Sequence, residues 1–133
     1  MDSRNPLIET PRLRMRPHRL DDFDDMATMW ADPRVVEHIT GTPSTREQSW
    51  ARLLRYAGHW AMMDFGYWAV EERESGAFIG EVGFADYHRE IEPSLNGIPE
   101  LGWILVILKL DVLGGVLRQA QDDISFDKLR MTW

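Results

Sequence analysis

The strongest patterning of apolar and polar positions lies between Phe65 and Val106. Tyr67-Trp68-Ala69-Val70 combines aromatic and β-branched residues, the composition of a strand. Glu71 to Gly76 is polar and ends in Ser-Gly, which predicts a turn. Phe78 to Phe84 resumes the strand pattern, and a loop with Pro93, Asn96-Gly97 and Pro99 follows. A third strand is predicted from Glu100. It becomes continuously apolar from Trp103 to Leu108 and runs on to Leu113, as a central strand buried on both faces does. Three adjacent antiparallel strands are therefore expected at the centre of the fold.

Upstream, Leu13 and Met15 alternate with Arg12, Arg14 and Arg16, the period of a half-buried strand within Leu7 to Pro17. Pro11 and Pro17 fence it and favour an edge position or a short strand. The arginine row reads as a solvated face. A helix is predicted from Asp21 to Ala31, with Asp21 or Asp22 as cap and Phe23, Met26, Ala27 and Trp30 on its apolar side. Asp32-Pro33 ends it, and Arg34 to Ile39 reads as a short second helical turn. Ser44 to Met63 is the best-marked helix. Ser44 with Glu47, or Thr45 with Gln48, has the spacing of a capping box. Trp50, Leu53, Leu54, Ala57, Trp60 and Ala61 line the stripe expected to face the core. The predicted class is α+β, a mixed, mostly antiparallel sheet with helices packed on it. Residues 1–113 form one unit on this reading and 114–133, after the Gly114-Gly115 break, a divergent tail.

Composition narrows the functional classes. A chain of 133 residues with 44% hydrophobic and 28% charged positions suits one soluble domain. A net charge of -7 argues against a general nucleic-acid binder or a partner of anionic membranes, and it is compatible with a cationic substrate. With no cysteine there is no disulfide, thiol nucleophile or cysteine metal site. No metal site is expected, because His38, His59 and His88 lack ligand spacing. The chain shows no signal-peptide pattern and no apolar run of membrane-spanning length, so a cytoplasmic setting is expected.

Four stretches in order, ETPRLRMRPHRLDDFDDM, DPRVVEHITGTPSTREQSW, FGYWAVEERESGAFIGEVGF and PELGWILV, resemble the GNAT acetyltransferase superfamily. They are most similar to its ribosomal-protein alanine N-acetyltransferase subgroup. The resemblance covers about the first 106 residues. It implies an acyl-CoA N-acyltransferase-like fold, acetyl-CoA as co-substrate, and direct transfer of the acetyl group to an amine such as a protein N-terminus or a small amine. By the same resemblance, Glu100 is the candidate general base. The backbone of Trp103, Ile104, Leu105 and Val106 is the candidate strand for the pantetheine arm, and Tyr87 and His88 could line the acceptor cleft.

The family continues past this strand with a loop of the form [RQ]-x-x-G-x-[GA], whose amides cradle the pyrophosphate of CoA. Here Asp111 precedes Gly114 by three and Val116 follows it by two, so the pattern is not met, and an aspartate there repels phosphate. The C-terminal half of the family fold is thus expected to be incomplete. Two functional expectations follow: an acetyl-CoA-dependent N-acetyltransferase, or an inactive remnant serving as an interaction module. An apolar third strand with a free edge also predicts a homodimer through residues 100–113.

Overall fold

The structure, a computed structural model, describes residues 7–106. The expected strand at 107–113 and the tail at 114–133 lie outside the described residues. Five strands form one sheet in chain order: β1 (Ile8–Glu9), β2 (Leu13–Arg16), β3 (Tyr67–Glu72), β4 (Phe78–Ala85) and β5 (Glu100–Leu105). Every described pairing is antiparallel. The helices are α1 (Phe23–Ala31), entered through a 3-10 turn at Leu20–Asp22, then α2 (Pro33–Val36) and α3 (Arg46–Met63). This is the expected α+β class. None of these helices is long and apolar enough to cross a membrane.

The opening strand is two strands. Pro11 sits in a tight turn where the Thr10 amide donates to the Leu13 carbonyl (2.9 Å) and the Leu13 amide to the Thr10 hydroxyl (3.0 Å). β2 thereby lies inside the sheet, between β1 and β3. That position changes the fate of its arginines. Arg16 is 7% exposed and donates to both oxygens of Asp22 (2.8 and 2.9 Å) and to Glu71 (2.9 Å). Arg14 bonds Glu9 and Glu71, each at 3.1 Å. Arg12 stays exposed as predicted, but Arg14 and the buried Arg16 belong to a ladder of ion pairs. For the same reason the predicted turn starts late: Glu71 and Glu72 remain in β3, where Glu71 is buried opposite the β2 arginines.

α3 starts on the Thr45–Gln48 capping box, the Gln48 amide donating to the Thr45 hydroxyl (3.1 Å) and the Thr45 amide to the Gln48 side chain (2.9 Å). Asp64, at a φ of 62°, ends it. The buried stripe is Ser49, Leu53, Tyr56 and Trp60, whereas Trp50 (41%) and Leu54 (49%) are exposed. The helix is thus rotated from the expected face. A tyrosine replaces two apolar residues in the core because its hydroxyl finds a buried partner, described below.

One face of the sheet packs on the helices, through Met26, Met29, Trp30, Leu53 and Tyr56 against Tyr67, Ala85 and Ile104. The other gathers Leu13, Met15, Trp68, Val70, Ile79 and Val82, with Trp60 at the sheet end. Trp30, Trp60 and Trp68 are core residues, as expected. The apolar run that predicts a doubly buried strand continues into residues 107–113, outside the described residues. Among the described residues β5 is an edge strand, with Ile104 buried but Leu101 (40%) and Trp103 (56%) exposed.

Candidate acceptor and cofactor site

The register of the sheet places Arg16, Ala69, Glu81 and Ile104 side by side on the helix-covered face. Glu81 is fully buried. Burying a carboxylate is costly unless its oxygens are bonded, and here three side chains converge on it. His18 Nε2 lies 2.6 Å from Oε2, Trp30 Nε1 donates to Oε1 (2.9 Å), and the Tyr56 hydroxyl donates to Oε1 (3.2 Å). The His18 ring also lies against Tyr56, with centroids 4.7 Å apart. Burial, and then the negative Glu81, push the Tyr56 hydroxyl well above its ordinary pKa. Tyr56 is a neutral donor at any ordinary pH. Glu81 therefore fixes α1, α3 and the segment before α1 to the sheet, and it holds two residues, Trp30 and Tyr56, that line the cleft in front of it.

That cleft, about 370 Å³, opens between α3 and β5. Its lining includes Trp30, Thr40, Arg52, Arg55, Tyr56, Tyr67, Tyr87, Arg89, Glu100, Trp103 and Ile104. An adjoining, mostly apolar cleft of about 440 Å³ shares Arg55, Tyr56, Tyr67 and Tyr87 with it. Two glycines make room for Tyr67. On the row Tyr67–Gly83–Gly102, a Cβ on Gly102 would occupy the place of the Tyr67 hydroxyl, and one on Gly83 would meet the Gly66–Tyr67 backbone. The Tyr67 ring thus reaches β5, where Tyr87 donates to its hydroxyl at 3.0 Å. Burial and that bond raise the Tyr67 pKa far above the usual tyrosine value.

The residues singled out from sequence fall into two groups. Glu100, Trp103, Ile104 and Tyr87 all line the same cleft. Glu100 accepts from Arg89 Nε with both oxygens (3.0 and 2.9 Å), and the Arg89 guanidinium stacks on Tyr87 at 4.7 Å. His88 does not join them: its side chain is 67% exposed, 3.5 Å from Asp86. Asp86 is held below the usual carboxylate range by the Gly97 amide, although burial opposes this. His59, on the neighbouring cleft, has Nδ1 2.7 Å from the Phe65 carbonyl while Nε2 accepts from the Asp86 amide (3.1 Å), so Nδ1 carries the proton. Among the described residues no three His, Asp or Glu side chains converge as a metal site.

The β5 backbone has two distinct sides. The Val106 amide donates to the Ile79 carbonyl at 2.9 Å, and Ile104 is paired with Glu81. In an antiparallel ladder the peptide groups alternate, so those of Trp103 and Leu105 face away from β4. Among the described residues no strand pairs with that edge. Glu81, His18, Tyr56, Arg52 and Arg55 were not singled out from the sequence. A lone glutamate within Phe78-Ile79-Gly80-Glu81-Val82-Gly83-Phe84 was the available signal, since a charge in an apolar strand needs a partner.

Residues 12–107 match the model of the acetyltransferase (GNAT) domain family. A GNAT-family acetyltransferase from Bordetella pertussis is similar at 26% identity and a TM-score of 0.66, over 90% of this chain and 74% of that one. An acetyltransferase from Agrobacterium tumefaciens str. C58 is similar at 25% identity and a TM-score of 0.63, over 95% and 70%. The ribosomal-protein-S5-alanine acetyltransferase from Vibrio fischeri shares the fold at 17% identity and a TM-score of 0.50, over 93% and 70%. With its antiparallel sheet, its helix-covered face and its cleft beside β5, the chain belongs to the GNAT acetyltransferase family.

Proposed function

We propose that this protein is an acetyl-CoA-dependent N-acetyltransferase, acting on a primary amine in the cleft between α3 and β5. The observation that carries this reading is the edge of β5 beside that cleft, with which no strand pairs among the described residues. Peptide groups of Trp103 and Leu105, turned away from β4, are available to an extended amide-bearing arm as a neighbouring strand would be. Ile104 and Val106 serve instead by holding β5 against β4, and Ile104 by filling the floor of the cleft. Acetyl-CoA, when bound, supplies a thioester-activated acetyl group. The chain's own part is to orient the amine, exclude water and take its proton. Glu100 is the proposed proton acceptor, with Tyr87 beside it. In the free protein Arg89 occupies both Glu100 oxygens, so Arg89 must yield to an incoming ammonium. Kinship with the ribosomal-protein alanine acetyltransferases and a cytoplasmic setting belong to the same proposal.

The test is acetyl transfer from acetyl-CoA to a panel of amines by the purified protein. Glu100→Gln should lower kcat by about 100-fold or more, and Glu100 is accessible enough that folding is not at stake. Unchanged turnover removes Glu100 from the mechanism. A second reading, an inactive binding module, is favoured by one observation: Asp111 and Val116 break the pyrophosphate-loop pattern after the Glu-Leu-Gly-Trp strand. Calorimetric titration with CoA separates the two. Micromolar binding supports the enzyme, and no heat at millimolar ligand supports the module.

A further inference from the structure

The net charge of the chain is -7, yet among the described residues the cleft is lined by three arginines and one carboxylate. Arg89 and Glu100 satisfy each other. That leaves Arg52 and Arg55, three residues apart on α3 and both on the cleft wall. Arg14, Arg16, Arg34, Arg46, Arg73 and Arg89 each hold a carboxylate within salt-bridge distance. Among the described residues no carboxylate lies that close to Arg52 or Arg55.

Arg52 is the more telling of the two. Its guanidinium stacks on Trp30 at 3.6 Å, and its hydrogen bond is a long one, 3.4 Å to the Ser44 hydroxyl. Trp30 is itself held by Glu81, so the guanidinium plane lies on a fixed support. Partial burial lowers the pKa of Arg52, as loss of water does for a cation, although the charge of the more distant Glu81 opposes this. A stacked guanidinium keeps its edge free, and that edge matches a carboxylate or phosphate in a bidentate fork. Arg55 extends the positive wall into the adjoining apolar cleft.

Resting on the acetyltransferase reading above, we infer that the acceptor is a small amine carrying a carboxylate or phosphate group, held by Arg52 and Arg55 with its amine directed toward Glu100. A cleft of about 370 Å³ suits a small molecule. The two walls orient such a ligand: its anion goes to the α3 arginines, and its ammonium takes the place of Arg89 at the Glu100 carboxylate. A purely cationic acceptor has no such orientation and meets two arginines that have no carboxylate in reach among the described residues.

The experiment uses one amine in three forms: with a carboxylate, with a phosphate monoester, and as the neutral amide. Binding to the full chain is followed by calorimetry and acetylation by kcat/KM, for the wild type, Arg52→Gln, Arg55→Gln and Arg52→Lys. The expected result is a preference for an anionic form of about tenfold or more. That preference should collapse in Arg52→Gln and Arg55→Gln and return in part in Arg52→Lys, and the preferred anion tells carboxylate from phosphate. Equal binding of the neutral form, or a preference that survives both glutamine variants, overturns the inference. Acetylation of neutral amines alone overturns it and leaves the acetyltransferase reading standing. Anion binding that depends on the arginines, without transfer to any amine, upholds the site and defeats that reading. Thermal melting of each variant excludes unfolding as a cause, and Arg55, at the surface, is the safer of the two changes.

Discussion

Asp22 shows how one buried residue can be given opposite signs by its surroundings. Burial alone pushes its carboxyl up. Two bonds from Arg16 and one from the Arg19 amide (2.7 Å) outweigh that and hold it below its ordinary 3.8. A carboxyl whose pKa is depressed by folding stabilises the fold above its unfolded value, and the gain fades as pH falls through the folded value. Unfolding free energy should therefore drop as pH falls below about 4. Asp22→Asn should cost about 3 kcal/mol at neutral pH, the low end for removing one partner of a buried pair, since Arg16 keeps Glu71. It should also flatten the acid limb. Urea titrations of both proteins from pH 7 to pH 2.5 check this, and parallel pH profiles would show that Asp22 does not drive acid unfolding. The arginine alternation was legible along β2, but its reading as a wet face failed. Whether Arg16 meets water or Asp22 is settled by a segment that packs over it.

At the scale of elements, local chemistry was the better guide. The capping box, the Asp-Pro break between α1 and α2, and the aromatic strands β3 and β4 are set by neighbours in sequence and appeared where expected. α3 was placed correctly along the chain but turned about its axis. Tryptophan and leucine at 50 and 54 outrank tyrosine at 56 in hydrophobicity, yet only Tyr56 meets a buried acceptor. In β5 the Glu-Leu-Gly-Trp run carries its meaning in the glycine. Gly102→Ala should displace the Tyr67 hydroxyl and break its bond to Tyr87, destabilising the fold by about 1–3 kcal/mol as overpacking does. It should also weaken acceptor binding through the reshaped cleft. A variant with wild-type stability and wild-type acceptor affinity would show that Tyr67 is free to move, against the close packing described here.

At the scale of the molecule, the edge of β5, unpaired among the described residues, has two claimants. A homodimer through the strand at 100–113 would use the same Trp103 and Leu105 peptide groups as the pantetheine arm, although residues 107–113 lie outside the described structure. The two should compete. Sedimentation at rising protein concentration is expected to show a dimer, and saturating CoA should shift it toward monomer. A monomer at every concentration would show that the edge does not drive association. What the sequence determined by itself was the order and kind of the elements, and with them the family, because helical period, caps and strand composition act over a few residues. Which polar groups became internal was decided only by tertiary structure. Glu81 depends on partners 25, 51 and 63 residues away. Arg52 and Arg55 gain their character from the absence of a carboxylate partner among the described residues, and neither condition leaves a local trace, because burial and counter-charge belong to the packed chain.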